Sequence, residues 1–433
     1  MSHRSVAAAT AWMMVALIVI GALAGLVMQL ELALGPTRDL LSEHVYGLSL
    51  TIHAGALAIA ALRICVIGPI ANLYVARLHE RVGRARGASD ALAGLALAGY
   101  LVGTVAMLAA IFVFPQTDPR AVDWIAACGL TLAIADITMA LGVMLGMAGT
   151  SWRSLPEQAS SPEGWVVLIA VSWQLITGVT NALGGVLRIE GTFFHVDALT
   201  APLIAMIGIL LLIQRESNGT KVRPRVFVTL VLLALFGGVS SDATALPELR
   251  RALAIIVHLG VIAAFIAGRR VPAAHRVSPA ADYLPVFIMV YLLSVVARAY
   301  VASLALDVHV ADSYLVIGEF HLTALLLLAI GGPMALRYFQ PSRFVDHPIW
   351  TLKAAPLMIG LATAWLGLAM LSLGHAGMPR RYIAYLPEFT IGHRSAGAAA
   401  LLLCAGLALE AWMWASGRRR AAASATLTGS AAR

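Results

Sequence analysis

Two adjacent arginines, Arg380 and Arg381, stand between two apolar runs in the hexapeptide Gly377-Met378-Pro379-Arg380-Arg381-Tyr382. Guanidinium groups are always charged and grip carboxylates with two parallel hydrogen bonds, so such a pair at a membrane surface needs anionic partners. Of the twelve histidines, His53, His195, His258, His321 and His393 lie within apolar runs or at one end of them. A histidine inside a bilayer is costly and marks a candidate site, although satisfied structural histidines occur. His53, His258 and His321 sit about five to eight residues into their runs. At 1.5 Å per residue this is roughly 8–12 Å below the surface that holds the arginine pair. Imidazoles at one depth on several helices, under a carboxylate-binding pair, meet the requirement of an embedded haem. Its axial nitrogens must reach iron in one plane, with the propionates turned to the nearby aqueous face. The same histidines would equally serve as backbone hydrogen-bond partners or polar lining, and depth alone leaves both readings open.

Other ionisable groups share these runs. Asp197 follows His195 by two residues, and Glu319 precedes His321 by two. Either acid suits a proton path. Glu319 is read as a neutral hydrogen-bonded acid, with an iron ligand as the alternative, because burial disfavours the carboxylate. Arg63, Asp136 and Arg298 are mid-run. Arg63 and Asp136 read as a structural ion pair, with a proton path as the alternative. Cys65, Cys128 and Cys404 are isolated small core residues that make neither a disulfide framework nor a metal motif. Trp12, Trp124, Trp152, Trp165, Trp350, Trp412 and Trp414 stand near run ends as interface anchors. There is no GxGxxG, Walker loop or HExxH.

The elements that must position these groups follow from composition. The 433 residues are 60% apolar and 12% charged, with a mean hydropathy of +0.86. Runs of roughly 20 apolar residues recur along the chain, which makes it a polytopic helical membrane protein. About twelve spans are expected, at 11–34, 48–76, 90–114, 122–149, 164–187, 194–214, 225–241, 250–268, 283–305, 313–336, 353–374 and 390–416. They form one membrane domain over 1–416, followed by a basic, Ala/Ser-rich tail over 417–433 read as a disordered cytoplasmic tail. Basic clusters around Arg77–Arg86, Arg215–Arg225, Arg269–Arg276, Arg337–Lys353 and Arg418–Arg420 alternate with poorly charged loops. By the positive-inside rule both termini are cytoplasmic, in a bacterial-type inner membrane, and the Arg380-Arg381 loop faces outward. The net charge of +8 is scattered over short loops without a basic stripe, so no nucleic-acid partner is expected.

Several motifs, in order, resemble the haem–copper oxidase subunit I family. Gly377-Met378-Pro379-Arg380-Arg381-Tyr382 is similar to the loop before that family's last helix, where the arginines hold haem propionates. Leu50-Thr51-Ile52-His53-Ala54-Gly55, followed by Gly68-Pro69-Ile70-Ala71-Asn72-Leu73-Tyr74-Val75, resembles its second helix. Glu319-Phe320-His321 with Gly331-Gly332 resembles its tenth, which carries His-x-His. The resemblance implies that His53 and His321 are the two axial ligands of one low-spin haem, of b or a type. It makes Arg380 and Arg381 the propionate anchors.

The dioxygen-reducing half carries over incompletely. Phe194-His195-Val196-Asp197 with Ala201-Pro202 resembles the sixth helix, which implies a copper ligand at His195 and a proton relay at Asp197. The family's Tyr two residues beyond the acid is Leu199 here. Val239 and Ser240 stand where the copper histidine pair belongs, and Glu319 stands where the high-spin haem ligand belongs. One imidazole makes a weak copper site, so copper is doubtful and His195 reads as a vestigial ligand, unless His258 or His393 substitutes.

The implied function is electron transfer of the respiratory type, or handling of nitric oxide or oxygen, without full oxygen-reductase activity. A working terminal oxidase or nitric-oxide reductase with rearranged ligands is the alternative, and a haem-free transporter or assembly factor on the same fold is the third. The implied partners are membrane lipid, a cytochrome or quinol electron donor, and further subunits.

Overall fold

The computed structural model describes residues 1–34, 42–64, 67–82, 87–113, 119–148, 162–187, 278–304, 313–379 and 387–430, with isolated positions 206, 208, 209 and 213. The protein is all-helical, and no strand occurs among the described residues; one isolated bridge joins Ser313 and Pro379. In order the helices are α1 His3–Leu34, α2 Glu43–Ala54, α3 Leu62–Ile64, α4 Asn72–Val82, α5 Ala88–Val113, α6 Pro119–Ala148 and α7 Pro162–Leu187. They continue with α8 Leu284–Leu304, α9 Tyr314–Leu325, α10 Gly332–Phe339, α11 Ile349–His375 and α12 Thr390–Ser430.

Among the described residues, 9 helical stretches are long and apolar enough to cross a membrane. They coincide with nine of the twelve expected spans, and the chain is a multi-pass membrane protein. The sixth, seventh and eighth expected spans, 194–214, 225–241 and 250–268, lie outside the described residues apart from the isolated helical positions 206, 208, 209 and 213. The first span begins at His3 rather than near 11. Its polar start is satisfied inside the protein: the His3 N–H donates to Asp90 Oδ1 at 2.8 Å, and His3 Nδ1 meets Asn72 Oδ1 at 2.7 Å.

The described chain forms two compact units, one of Met1–Ile18 with Ala54–Val277, the other of Val19–His53 with Ser278–Arg433. In the first, α6 packs against α5 and α7. Side chains such as Leu95, Val105 and Phe112 of α5 are left exposed, as lipid-facing residues are. The interior is tied by a polar knot. Arg63 Nη1 donates to Asp136 Oδ2 at 3.1 Å, the Tyr100 hydroxyl to Asp136 Oδ1 at 2.6 Å, and Gln174 Nε2 to the same oxygen at 2.7 Å. Arg63 and Asp136 are therefore a buried ion pair, the structural alternative of the two expected. Leaving either partner alone costs about 3–5 kcal/mol, and Tyr100 and Gln174 supply the extra hydrogen bonds such a pair needs.

In the second unit α11 packs on α9 and α12, and α8 on α9 and α11. Glycines permit the α9–α11 approach: a Cβ on Gly374 would lie 2.7 Å from the Tyr314 carbonyl carbon, and one on Gly318 would lie 2.8 Å from Leu371 N. One expectation changes here. Arg337, grouped with the surface loop charges by its sequence position, is fully buried. Its Nε and Nη2 reach Glu410 Oε1 at 2.8 Å and Oε2 at 2.5 Å, and its Nη1 donates to the Leu352 carbonyl at 2.9 Å. A bidentate pair with every donor face occupied clamps α10 to α12. Trp414 also turns inward, 2% exposed, where the sequence suggested an interface anchor, while Trp412 is exposed.

Candidate functional site

His53 closes α2 and His321 lies in the middle of α9, both within the second unit. Each helix opens into a π segment beyond its histidine, Gly55–Ala61 after His53 and Leu326–Gly331 after His321. Such widened turns are frequent at functional sites. The two ring centroids lie 5.7 Å apart, with planes 12° apart.

That separation alone suits an offset aromatic pair. The nitrogens say more. His53 Nδ1 lies 2.8 Å from the Gly21 carbonyl oxygen of α1, and His321 Nδ1 lies 2.8 Å from the Ile317 carbonyl oxygen. A carbonyl only accepts, so both Nδ1 atoms carry the hydrogen and both Nε2 atoms keep their lone pairs. Neither Nε2 makes a hydrogen bond among the described residues. Both residues are half-buried, and each Nε2 lone pair is free to take a metal ion. A metal held by imidazoles at about 2 Å on either side would set the ring centroids about 6 Å apart, close to what is seen. A second hydrogen bond that fixes the tautomer is what metal-bound histidines require. The centroid spacing and the tautomers are those that a metal held between two imidazoles would need. Among the described residues no three His, Cys, Asp or Glu side chains gather as a metal site. The remaining coordination at iron would come from a porphyrin.

The sequence motifs did not point to the support on α1. A Cβ on Gly25 would stand 2.6 Å from His53 Nδ1 and 2.8 Å from its Cε1. Gly21 and Gly25, one turn apart, therefore present the bare helix surface on which the ring lies. Gly25→Ala is expected to push the ring off the Gly21 carbonyl. The cost is about 1–3 kcal/mol of stability and a lower haem-to-protein ratio after purification. A thermal melt with haem quantitation checks it, and an unchanged ratio would mean that the ring has room to move.

Each histidine also has a buried tyrosine seven residues before it, Tyr46 before His53 and Tyr314 before His321. Seven residues are two turns, so each hydroxyl-bearing ring shares its histidine's face about 10 Å along the helix. The spacing was legible in the sequence once the histidines were paired.

The segment leading to the arginine pair is fastened at this same end. Gly377 turns the chain at a φ of 90°, the left-handed region that glycine tolerates. The Tyr314 N–H donates to the Met378 carbonyl at 3.0 Å, and Ser313 bridges Pro379. Pro379 immediately precedes Arg380 in sequence. Arg380 and Arg381 themselves lie outside the described residues, as do His195, Asp197, Val239, Ser240 and His258. Glu319 is described and half-buried. Two residues of helix turn it about 200° from His321, so it belongs to a different face of α9. His393 is buried near the start of α12, its ring edge-on to Tyr314.

No known family model matches the chain. It is similar to "Cytochrome c oxidase polypeptide 1" of Halobacterium salinarum, 30% identical over 138 residues that make up 30% of this chain and 21% of that protein. It is also similar to "Probable cytochrome c oxidase subunit 1-beta" of Nocardia farcinica, 32% identical over 105 residues, 24% of this chain and 18% of that one. The matched segments thus span about a fifth of these curated relatives. A heme-copper terminal oxidase dimer solved by cryo-electron microscopy shares the fold, with a TM-score of 0.73 and 15% identity, over 95% of this chain and 84% of that one. The chain thus has the fold of a heme-copper terminal oxidase and is similar, over part of its length, to cytochrome c oxidase subunit 1.

Proposed function

We propose that the protein holds one low-spin haem between His53 and His321 and uses it in membrane electron transfer of the respiratory type. The observation that carries this reading is the ring pair itself, with both Nδ1 atoms on backbone carbonyls and both Nε2 atoms unfilled. The haem would supply a one-electron couple. The chain's own residues would do the rest: His53 and His321 would hold the iron, and the Gly21 and Ile317 carbonyls fix their tautomers. Arg380 and Arg381 would neutralise the carboxylates. A haem with both axial positions filled by protein passes electrons without binding a gas. Pyridine-haemochrome quantitation on the purified chain tests the reading. One haem per chain supports it, and a haem-free, well-folded chain would remove it in favour of a transporter or assembly factor.

The arginine pair makes a directional prediction. Each charge-assisted hydrogen bond to a carboxylate contributes about 1.5–3 kcal/mol. A positive charge beside the haem also disfavours the additional charge of oxidised iron. Arg381→Leu should therefore lower the midpoint potential and loosen the haem in a potentiometric titration. A potential that stays put, or rises, in an assembled variant counts against propionate contact.

A further inference from the structure

His393 is 2% exposed, the fourth residue of α12, and its Nδ1 has no hydrogen-bond partner. His3 and His347 also carry one unpartnered buried nitrogen, but their other ring nitrogen is used, on Asn72 Oδ1 and on the Met413 carbonyl. His393 has no hydrogen bond from either nitrogen among the described residues, and no acidic side chain pairs with it there. A buried imidazole without any polar partner requires an explanation, because desolvation is paid without return.

Its position supplies one. The ring stands edge-on to Tyr314, at 6.3 Å between centroids and 89° between planes. Tyr314 is two turns before His321 on the same face, and its backbone N–H holds the Met378 carbonyl two residues before Arg380. His393 therefore stands where the helix carrying His321 meets the segment that enters the arginine pair. The first turn of a long helix also favours negative charge. We propose that His393 donates a hydrogen bond to a carboxylate of the bound haem, as a binding residue additional to Arg380 and Arg381. This rests on the haem reading above and assigns His393 to the carboxylate end rather than to a metal.

Two variants separate binding from packing. His393→Leu fills the same buried space without a donor, and His393→Asn keeps an N–H. The readout is transfer of haem from the full-length purified protein to excess apomyoglobin, with the haem carboxylate bands of the redox-difference infrared spectrum. Transfer from His393→Leu is expected to be about tenfold faster than from the unaltered protein, with the carboxylate bands shifted. His393→Asn should restore most of both. A Leu variant that retains haem as well as the unaltered protein, or an Asn variant no better than Leu, would overturn the proposal. If the Leu variant does not accumulate, His393→Phe provides the same comparison. An unaltered chain that contains no haem would sink the haem reading and this proposal with it, and that outcome is visible before any variant is made.

Discussion

His53→Ala and His321→Ala are each expected to abolish the low-spin haem spectrum. The two imidazoles come from helices far apart in sequence, and neither has a neighbouring histidine on its own helix turn to replace it. Losing one leaves the iron with a single protein ligand and an open position, which changes its spin state rather than merely its affinity. The supports magnify the loss. The surviving ring stays anchored through Nδ1 to Gly21 or Ile317 and cannot swing to compensate. The double variant should carry no haem. Optical spectra of the purified single variants check this, and full haem with an unaltered spectrum in both would show the ligand assignment to be wrong.

The second large effect is an absence of oxygen chemistry. In the haem–copper oxidases that the chain resembles, dioxygen reduction needs a haem iron with an open position facing a copper held by three histidines. By the motif resemblance Glu319 would stand at the position of the ligand to that iron, and its side chain offers a carboxyl group rather than an imidazole. By the same resemblance Val239 and Ser240 would stand at the position of the copper pair, and neither side chain offers a nitrogen. His195 alone would hold copper weakly, since such sites use three or four ligands. The purified protein should therefore contain no stoichiometric copper, show no carbon-monoxide shift when reduced, and consume no oxygen. Two haems per chain with bound copper and cyanide-sensitive oxygen uptake would promote the terminal-oxidase reading instead.

The parts legible in the sequence were those with strong local signals. Apolar runs located nine spans, because hydropathy alone decides what crosses a bilayer. The motif order pairs His53 with His321 across 268 residues of sequence. What stayed hidden depended on neighbours distant in the chain. Gly25 looks like any small residue of a membrane helix until the His53 ring is laid against it. Arg337 reads as one basic residue among several at a loop, and only the approach of α12 supplies Glu410. The early start of α1 rests on Asp90 and Asn72, and no propensity within residues 1–10 announces those contacts. The tyrosines at a fixed spacing before each histidine lie between these cases: their spacing is plain, but its meaning appears only once both helices are seen to present the same face.

The near-infrared magnetic circular dichroism of the oxidised, purified protein, read with its haem-to-protein ratio, tests the central claim most directly. The position of its charge-transfer band reports both axial ligands at once. The account predicts one haem per chain with the band of a bis-imidazole low-spin iron, lost in His53→Ala and in His321→Ala. A high-spin spectrum, a band belonging to any other ligand pair, or a folded chain without haem would contradict it.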